Sequence, residues 1–434
     1  MSTVTIGIIG IVVMLIMFVL RLPIAFSMAL VGFAGFAYLS TTGAAFGIFA
    51  RDIFEQFYSY PLSVIPMFII MGTFAYASGI SRRLYDTAYT WLGQLRGGLT
   101  IATVFACAGF GAICGSSTAT AATMGKIALP EMKRYKYDDT LATGTVAAAG
   151  TLGVLIPPST ILIVYGVLTE ESIGKLFIAG LLPGILLSIF FAATVFLLCL
   201  RNPTLGPPGA PTSWRERVRS LTGVIETLIL FGLVIGGLFL GWFSPTQAGA
   251  IGALGAIVIG LARRELNWRG FWEATKDGLQ TSCMVLFIIT GATIFGHFMA
   301  VSRIPFVLAD WLGGLPLPTM GIVGIIAFIF FIGGFFMDSM ALVVLLIPIF
   351  FPVLVNLNID LIWFGVIVVL LGEMGVITPP VGVNVFVIKG IASDVPLESI
   401  FKGIWPFIVA LIICLLILMA FPQIATFLPS FARY

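Results

Sequence analysis

Charge is scarce in this chain of 434 residues: Asp, Glu, Lys and Arg make up 9% of it, against roughly 25% in soluble domains. A folded body so poor in charge cannot cover itself for water, which excludes a large soluble globular protein. Histidine occurs once, at His297, so no paired-imidazole metal centre can form. The cysteines Cys107, Cys114, Cys199, Cys283 and Cys414 lie in apolar runs without ligand spacing and read as inert packing residues. There is no Walker A sequence and no G-x-S-x-G elbow, and therefore no sign of ATP-driven or hydrolytic chemistry. A net charge of +3 says nothing of nucleic acid, and none is expected as a partner. The apolar run ending at Arg21 has neither a basic leader nor a small-residue cleavage pattern, so it reads as a first spanning helix rather than a signal peptide.

What is abundant is apolar sequence, 59% of the chain. In lipid every backbone polar group must find a partner within the protein, which favours helices; the chain reads as an all-α polytopic membrane protein embedded in a bilayer. At roughly 20 apolar residues per crossing, spans fall near 5 to 20, 23 to 42, 59 to 79, 138 to 168 and 175 to 200. A second set falls near 220 to 241, 245 to 262, 279 to 301, 361 to 388 and 403 to 425. Residues 98 to 132 and 319 to 355 resist this reading, because each carries a polar or Gly-rich tip in mid-segment, at Gly115-Ser116-Ser117-Thr118 and Met337-Asp338-Ser339. Each arm is short for a span and suits a re-entrant helical hairpin.

The two sets echo each other through their helix breakers. Gly111, Ser117, Pro130, Asp138, Gly150, Gly153, Pro157 and Pro158 recur 222 positions later as Gly333, Ser339, Pro352, Asp360, Gly372, Gly375, Pro379 and Pro380. Apolar similarity between spans is common, but Ser, Asp and Pro-Pro at membrane depth are costly, and repeating them points to a site built twice. Residues 1 to 200 form a first repeat, 201 to 219 a hydrophilic cytoplasmic linker, and 220 to 434 a second repeat. Each has five spans and one hairpin, and an odd number of crossings turns the second copy upside down. With the amino terminus outside, seventeen of the 22 Lys and Arg fall on the cytoplasmic side and four outside, leaving Lys126 in the first hairpin; this fits the positive-inside rule. Outside the core, Ser81-Arg82 pairs with Ser302-Arg303, and Trp91-Leu92-Gly93 with Trp311-Leu312-Gly313. These stretches read as connecting helices along the membrane surface, or equally as amphipathic loops.

Tandem prolines remove two backbone donors and disfavour helix at the preceding residue, so 138 to 168 and 361 to 388 should each break into half-helices at Pro157-Pro158 and Pro379-Pro380. A broken helix exposes carbonyls, which suit Na⁺, and helix amino termini, which suit a carboxylate. Two cation sites are expected. One uses Ser117 with the backbone from Gly153 to Ile156, beside Ser116; the other uses Asp338 and Ser339 with the backbone from Gly375 to Thr378. Ser116, Thr118, Thr120, Thr160 and Asn384 are candidates for hydrogen bonds to a polar substrate. Each hydroxyl has a structural alternative in its own helix. Glu373 is either a working carboxylate or a neutral structural acid, and His297 fits packing or an interfacial position better than a proton relay.

The run Gly109-Phe110-Gly111-Ala112-Ile113-Cys114-Gly115-Ser116-Ser117-Thr118-Ala119-Thr120, followed by Gly153-Val154-Leu155-Ile156-Pro157-Pro158-Ser159 and Gly375-Val376-Ile377-Thr378-Pro379-Pro380-Val381-Gly382, resembles the large membrane subunit of tripartite ATP-independent periplasmic (TRAP) transporters. The resemblance covers nearly the whole chain. It implies Na⁺-coupled uptake, with two or more Na⁺ as coupling ions, of an organic acid of the dicarboxylate or sialic-acid class. It also implies an elevator-type division into scaffold and transport domains, a separate small four-helix membrane subunit, a periplasmic substrate-binding protein and a bacterial or archaeal inner membrane. A stand-alone ion-coupled carrier of the same superfamily and a passive channel are the alternatives; a membrane enzyme lacks any candidate nucleophile or metal set.

Overall fold

A computed structural model describes residues 2–20, 22–209 and 211–432; Arg21 and Arg433, both counted in the charge distribution, lie outside them. Among the described residues the chain is helical without strands. Helices Thr3–Val19, Ile24–Leu39, Ile173–Arg201, Ile225–Phe239, Pro245–Ala262 and Leu397–Ala420 occupy the expected spans. The span expected at 59 to 79 is Val64–Ala77, and a helix that sequence reading passed over, Thr42–Tyr58, precedes it. The two bend by 57° around Pro61, whereas the second repeat runs through the same stretch as one helix of 35 residues, Trp268–Ser302. Thr42–Tyr58 contains Arg51, Asp52, Glu55 and Gln56, which concealed it from a search for apolar runs. His297, expected to pack or sit at an interface, places its Nε2 3.1 Å from Asp52 Oδ2 and joins these two helices.

Both hairpins form helix pairs. Gly98–Cys114 and Ser117–Arg134 make the first; Thr319–Gly334 and Ser339–Asn356 make the second. Both Pro-Pro spans break as their chemistry demands. The first gives Asp139–Ala149, Leu152–Leu155 and Thr160–Thr169 with a bend of 40°; the second gives Leu361–Ile377 and Val383–Ile391. Both Pro-Pro bonds are cis. The repeated aspartates, costly if idle, are N-caps: Asp138 Oδ1 accepts the Leu141 amide at 3.0 Å and Asp360 Oδ1 the Trp363 amide at 2.9 Å.

The connecting stretches are helices, Ile80–Leu92 and Ile304–Gly313. Each is entered through one left-handed residue, Gly79 at φ 68° and Arg303 at φ 61°, followed by isoleucine. This joint pairs Ile80 with Ile304, so matching Ser81-Arg82 to Ser302-Arg303 is out of register by three residues. The first connecting helix is bolted down. Arg83 lies 2.6 Å from Glu265 and 3.8 Å from Glu226, and Arg263 holds Glu226 from the other side at 2.6 Å.

The hydrophilic linker is stitched to the same region. The Gly97 amide donates to Gly206 O at 2.9 Å, the Asp138 amide to Leu205 O at 3.0 Å and the Gly209 amide to Gly93 O at 2.7 Å. Trp91 Nε1 donates to Arg217 O at 3.1 Å, and Thr212 Oγ1 to Thr90 O at 2.8 Å. These bonds clamp the base of the first hairpin and its connecting helix. In the core, Pro422 cannot donate to the Leu418 carbonyl, and buried Trp363 supplies the missing donor from Nε1 at 2.8 Å. Tyr165, beyond the first break, donates to Leu361 O at 2.6 Å and fastens the two broken spans together.

Candidate functional site

The site lies where the hairpin tips meet the breaks. At the first tip Gly115 adopts φ 66°, turning the chain so that Ser116 can cap the returning arm, its Oγ accepting the Ala119 amide at 3.4 Å. Thr160 Oγ1 donates to Gly115 O at 3.2 Å and ties this tip to the half-helix beyond the break. The arm and the broken span touch through Gly111 and Gly153: a Cβ on Gly111 would stand 3.0 Å from the Gly153 nitrogen and closer still to its Cα. Pro157 and Pro158 sit where the carbonyls of Gly153 and Val154 would find their helical donors, so both carbonyls lose that partner.

The second tip does the same work with different residues. Asp338 caps the returning arm, Oδ1 accepting the amides of Met340 and Ala341 at 2.9 and 3.0 Å. Asp338 therefore fills the capping position that Ser116 holds in the first copy. The close backbone approach is between Gly334 and Gly375, where a Cβ on Gly334 would lie 3.2 Å from the Gly375 Cα. The 222-residue register, which pairs Gly111 with Gly333, slips by one residue here. Thr378 Oγ1 donates to Met374 O at 2.8 Å and to Gly375 O at 3.3 Å, so its hydroxyl completes its own helix end.

Between the tips the two copies share one polar centre. Ser339 Oγ donates to Glu373 Oε1 at 3.1 Å. Asn384, fully buried on the half-helix after the second break, donates from Nδ2 to Ser117 Oγ at 2.9 Å and to Ala147 O at 3.1 Å. A carbonyl can only accept, so the Ala147 contact fixes which end of the amide is the donor. The Ser117 hydroxyl, which accepts from Asn384, also lies near the Glu373 carboxyl. Ser117 and Ser339, assigned by sequence to separate groups, thus lie around one carboxyl, which Ser339 bonds directly. Three buried oxygens of this region have no hydrogen-bond partner among the described residues: Glu373 Oε2, Asn384 Oδ1 and Thr120 Oγ1. Unpaired acceptors at this depth each cost of order 1–3 kcal/mol, and oxygen acceptors without donors are what a hard cation takes as ligands.

The candidate substrate residues separate. Thr118 is exposed, with Ser116 and Thr160 half-buried, while Thr120 and Asn384 are interior. The Ser116 and Thr118 hydroxyls stand 3.3 Å apart. Ile156 is buried in extended conformation at the first break and offers backbone only. Glu373 belongs at the centre although sequence left its role open; its signal was being the one acid in Leu361–Ile377, directly after Gly372.

Long apolar helices, two of them broken at membrane depth around buried polar groups, define a multi-pass membrane protein of the transporter class. The chain belongs to the family of the tripartite ATP-independent periplasmic transporter, DctM component, whose model matches residues 11–424. It is 36% identical to the C4-dicarboxylate TRAP transporter large permease protein DctM of Pseudomonas aeruginosa, over 88% of this chain and 89% of that one. It is 32% identical to the sialic acid TRAP transporter large permease protein SiaM of Vibrio cholerae, over 94% and 95%. The fold is similar to that of the Alcanivorax borkumensis YdaH transporter, with a TM-score of 0.66 at 16% identity over 88% and 89% of the two chains. The protein is thus a membrane component of a TRAP transport system and not an enzyme.

Proposed function

We propose that this protein is the large permease of a Na⁺-coupled uptake system for a small organic acid, working in a bacterial inner membrane with its amino terminus outside. The carrying observation is the set of partnerless buried oxygens on Glu373, Asn384 and Thr120, set among Ser117, Ser339 and the carbonyls freed by the prolines. A cation entering there gives those oxygens the partner they lack, and ties both hairpin tips to the broken spans. Na⁺ is the cargo that fits hydroxyl, amide and carbonyl oxygens in weak, exchangeable sites. The carboxylate of the substrate then meets Ser116, Thr118 and Thr160 beside the half-helix that begins at Thr160, whose amino terminus favours negative charge.

The substrate class follows from relatives named for C4-dicarboxylate and sialic acid. A periplasmic binding protein delivers the substrate, and a separate small four-helix subunit completes the membrane part. The repeats enter the membrane in opposite senses, and the hairpins with their broken spans move as a transport domain against a scaffold of the remaining helices. Ion binding orders the tips, so empty and fully loaded carriers move while partly loaded ones stay. Reconstitution in liposomes with the cognate binding protein and small subunit tests this. Uptake should be saturable and should collapse when external Na⁺ is replaced by K⁺; uptake that needs the binding protein yet ignores Na⁺ overturns the coupling.

A further inference from the structure

A cavity of about 420 Å³ opens away from the tips, between the connecting helix Ile80–Leu92 and the returning arm of the first hairpin. Its walls carry charges of both signs: Arg82, Lys126 and Arg134 against Asp86 and Glu131. Arg82 and Lys126 enter no ion pair among the described residues, and Arg134 reaches Glu131 only at 3.9 Å. Tyr85 is 2% exposed, and its hydroxyl has no hydrogen-bond partner among the described residues while standing near Glu131, Tyr89 and Asp86. Pro130, also in the wall, cannot donate to the Lys126 carbonyl four residues back, which leaves a further acceptor at the cavity. The arm keeps its helix across Pro130 despite this loss.

We propose that this cavity binds the headgroup of a zwitterionic phospholipid, a phosphate ester carrying a primary amine. Donors and acceptors are both in surplus here, which neither a simple anion nor a simple cation can satisfy. A phosphate takes Arg82, Lys126 Nζ and the orphan Tyr85 hydroxyl; the ammonium takes Asp86, Glu131 and the Lys126 carbonyl. Burial pushes the Tyr85 phenol upward in pKa, which keeps it a proton donor at any physiological pH. Lipid is the source the surroundings favour. The site lies at the hairpin's open end among Tyr89 and Tyr135, whose hydroxyls are 2.9 Å apart, and aromatic residues of this kind collect at membrane interfaces. The same ends carry the basic residues that sequence assigns to the cytoplasmic leaflet.

The full-length protein, purified in detergent and stripped of lipid, can be titrated with phosphatidylethanolamine, phosphatidylglycerol and soluble O-phosphoethanolamine while thermal stability and native mass are followed. Phosphatidylethanolamine should bind and raise the melting temperature, phosphatidylglycerol should do so about tenfold more weakly, and the soluble headgroup should give little shift. Tyr85→Phe removes an oxygen that has no hydrogen-bond partner among the described residues and should keep the lipid-free protein as stable as before. It should also weaken phosphatidylethanolamine binding about tenfold, the loss of one hydrogen bond to a charged group. Asp86→Asn should narrow the preference over phosphatidylglycerol. Equal binding of the two lipids, or Tyr85→Phe and Lys126→Gln both binding like the parent, overturns the proposal. A full shift from the soluble headgroup overturns the assignment to lipid.

Discussion

The two halves of the central site share a framework and differ in chemistry. Each has a capped hairpin arm, a span broken at Pro-Pro and a glycine-to-glycine approach between them. At equivalent positions, however, Ser116 faces Asp338, Thr151 faces Glu373, Ile156 faces Thr378 and Leu162 faces Asn384. In every one of these pairs the second copy has the more polar residue or the charged one. Asn384 then reaches across to Ser117, so the first copy's serine works in a cluster furnished mostly by the second. The backbone geometry is thus built twice, with the carboxyl and amide groups concentrated in the second copy and the threonine hydroxyls in the first, where Thr118, Thr120 and Thr160 correspond to Met340, Leu342 and Gly382.

Exchanging the central acid and its counterpart breaks this comparison most severely. Glu373→Gln keeps shape and removes the carboxyl, and in the Na⁺-driven liposome assay uptake should fall about 100-fold, equivalent to about 3 kcal/mol. Thr151→Val, by contrast, removes only the local bond from Thr151 Oγ1 to Ala148 O at 2.6 Å, and uptake should stay within about twofold. Comparable losses in the two variants would show that chemistry is spread evenly over the copies.

A smaller effect is expected from the serines. Ser117→Ala leaves the Asn384 amide short of an acceptor and should lower stability by about 1–3 kcal/mol, with uptake down about tenfold. Ser339→Ala removes one donor from Glu373 and should cost less stability, because no second side chain hangs on that hydroxyl. Thermal unfolding in micelles beside initial uptake rates separates the two. If Ser339→Ala proves the more damaging to stability, the centre is anchored on the second hairpin instead.

Asp338→Ser converts the second tip to the first tip's residue. Serine caps a helix about as well as aspartate, so stability should hold and uptake should stay within about threefold. Preserved stability with a far larger loss of uptake would give the Asp338 carboxylate a task beyond its two capping bonds.

Much of this framework could be read from the chain because its signals are covalent. Proline has no amide hydrogen wherever it stands, so both breaks were legible, and the polar tips marked both hairpins. The Thr42–Tyr58 helix escaped because its charged residues broke the apolar run, and the linker's attachment escaped because backbone bonds to Gly93 and Gly97 leave no trace in composition. Asp138 and Asp360 looked like intramembrane acids, since only a three-dimensional view shows the amide each one caps. The convergence of Ser117, Ser339, Asn384 and Glu373 was likewise hidden. It joins residues as far apart in sequence as Ser117 and Asn384, and follows from how the two copies pack, which no motif within one copy encodes.

The smallest effect tests the shared part of the framework. Asp138→Ala and Asp360→Ala each delete one cap at the start of a broken span, and each should lower stability by about 1 kcal/mol. Transport by the folded fraction should be untouched, since neither side chain reaches the central cluster. The two caps serve separate helices, so the double variant should lose the sum of the single losses to within about 0.5 kcal/mol. Asp138 has one additional tie, its amide bonded to Leu205 O at 3.0 Å, but that bond comes from the backbone and survives the substitution. Near-equal losses therefore follow if the two copies use their frameworks alike. A difference well above 1 kcal/mol would place the asymmetry in the backbone scaffold as well as in the polar groups it carries.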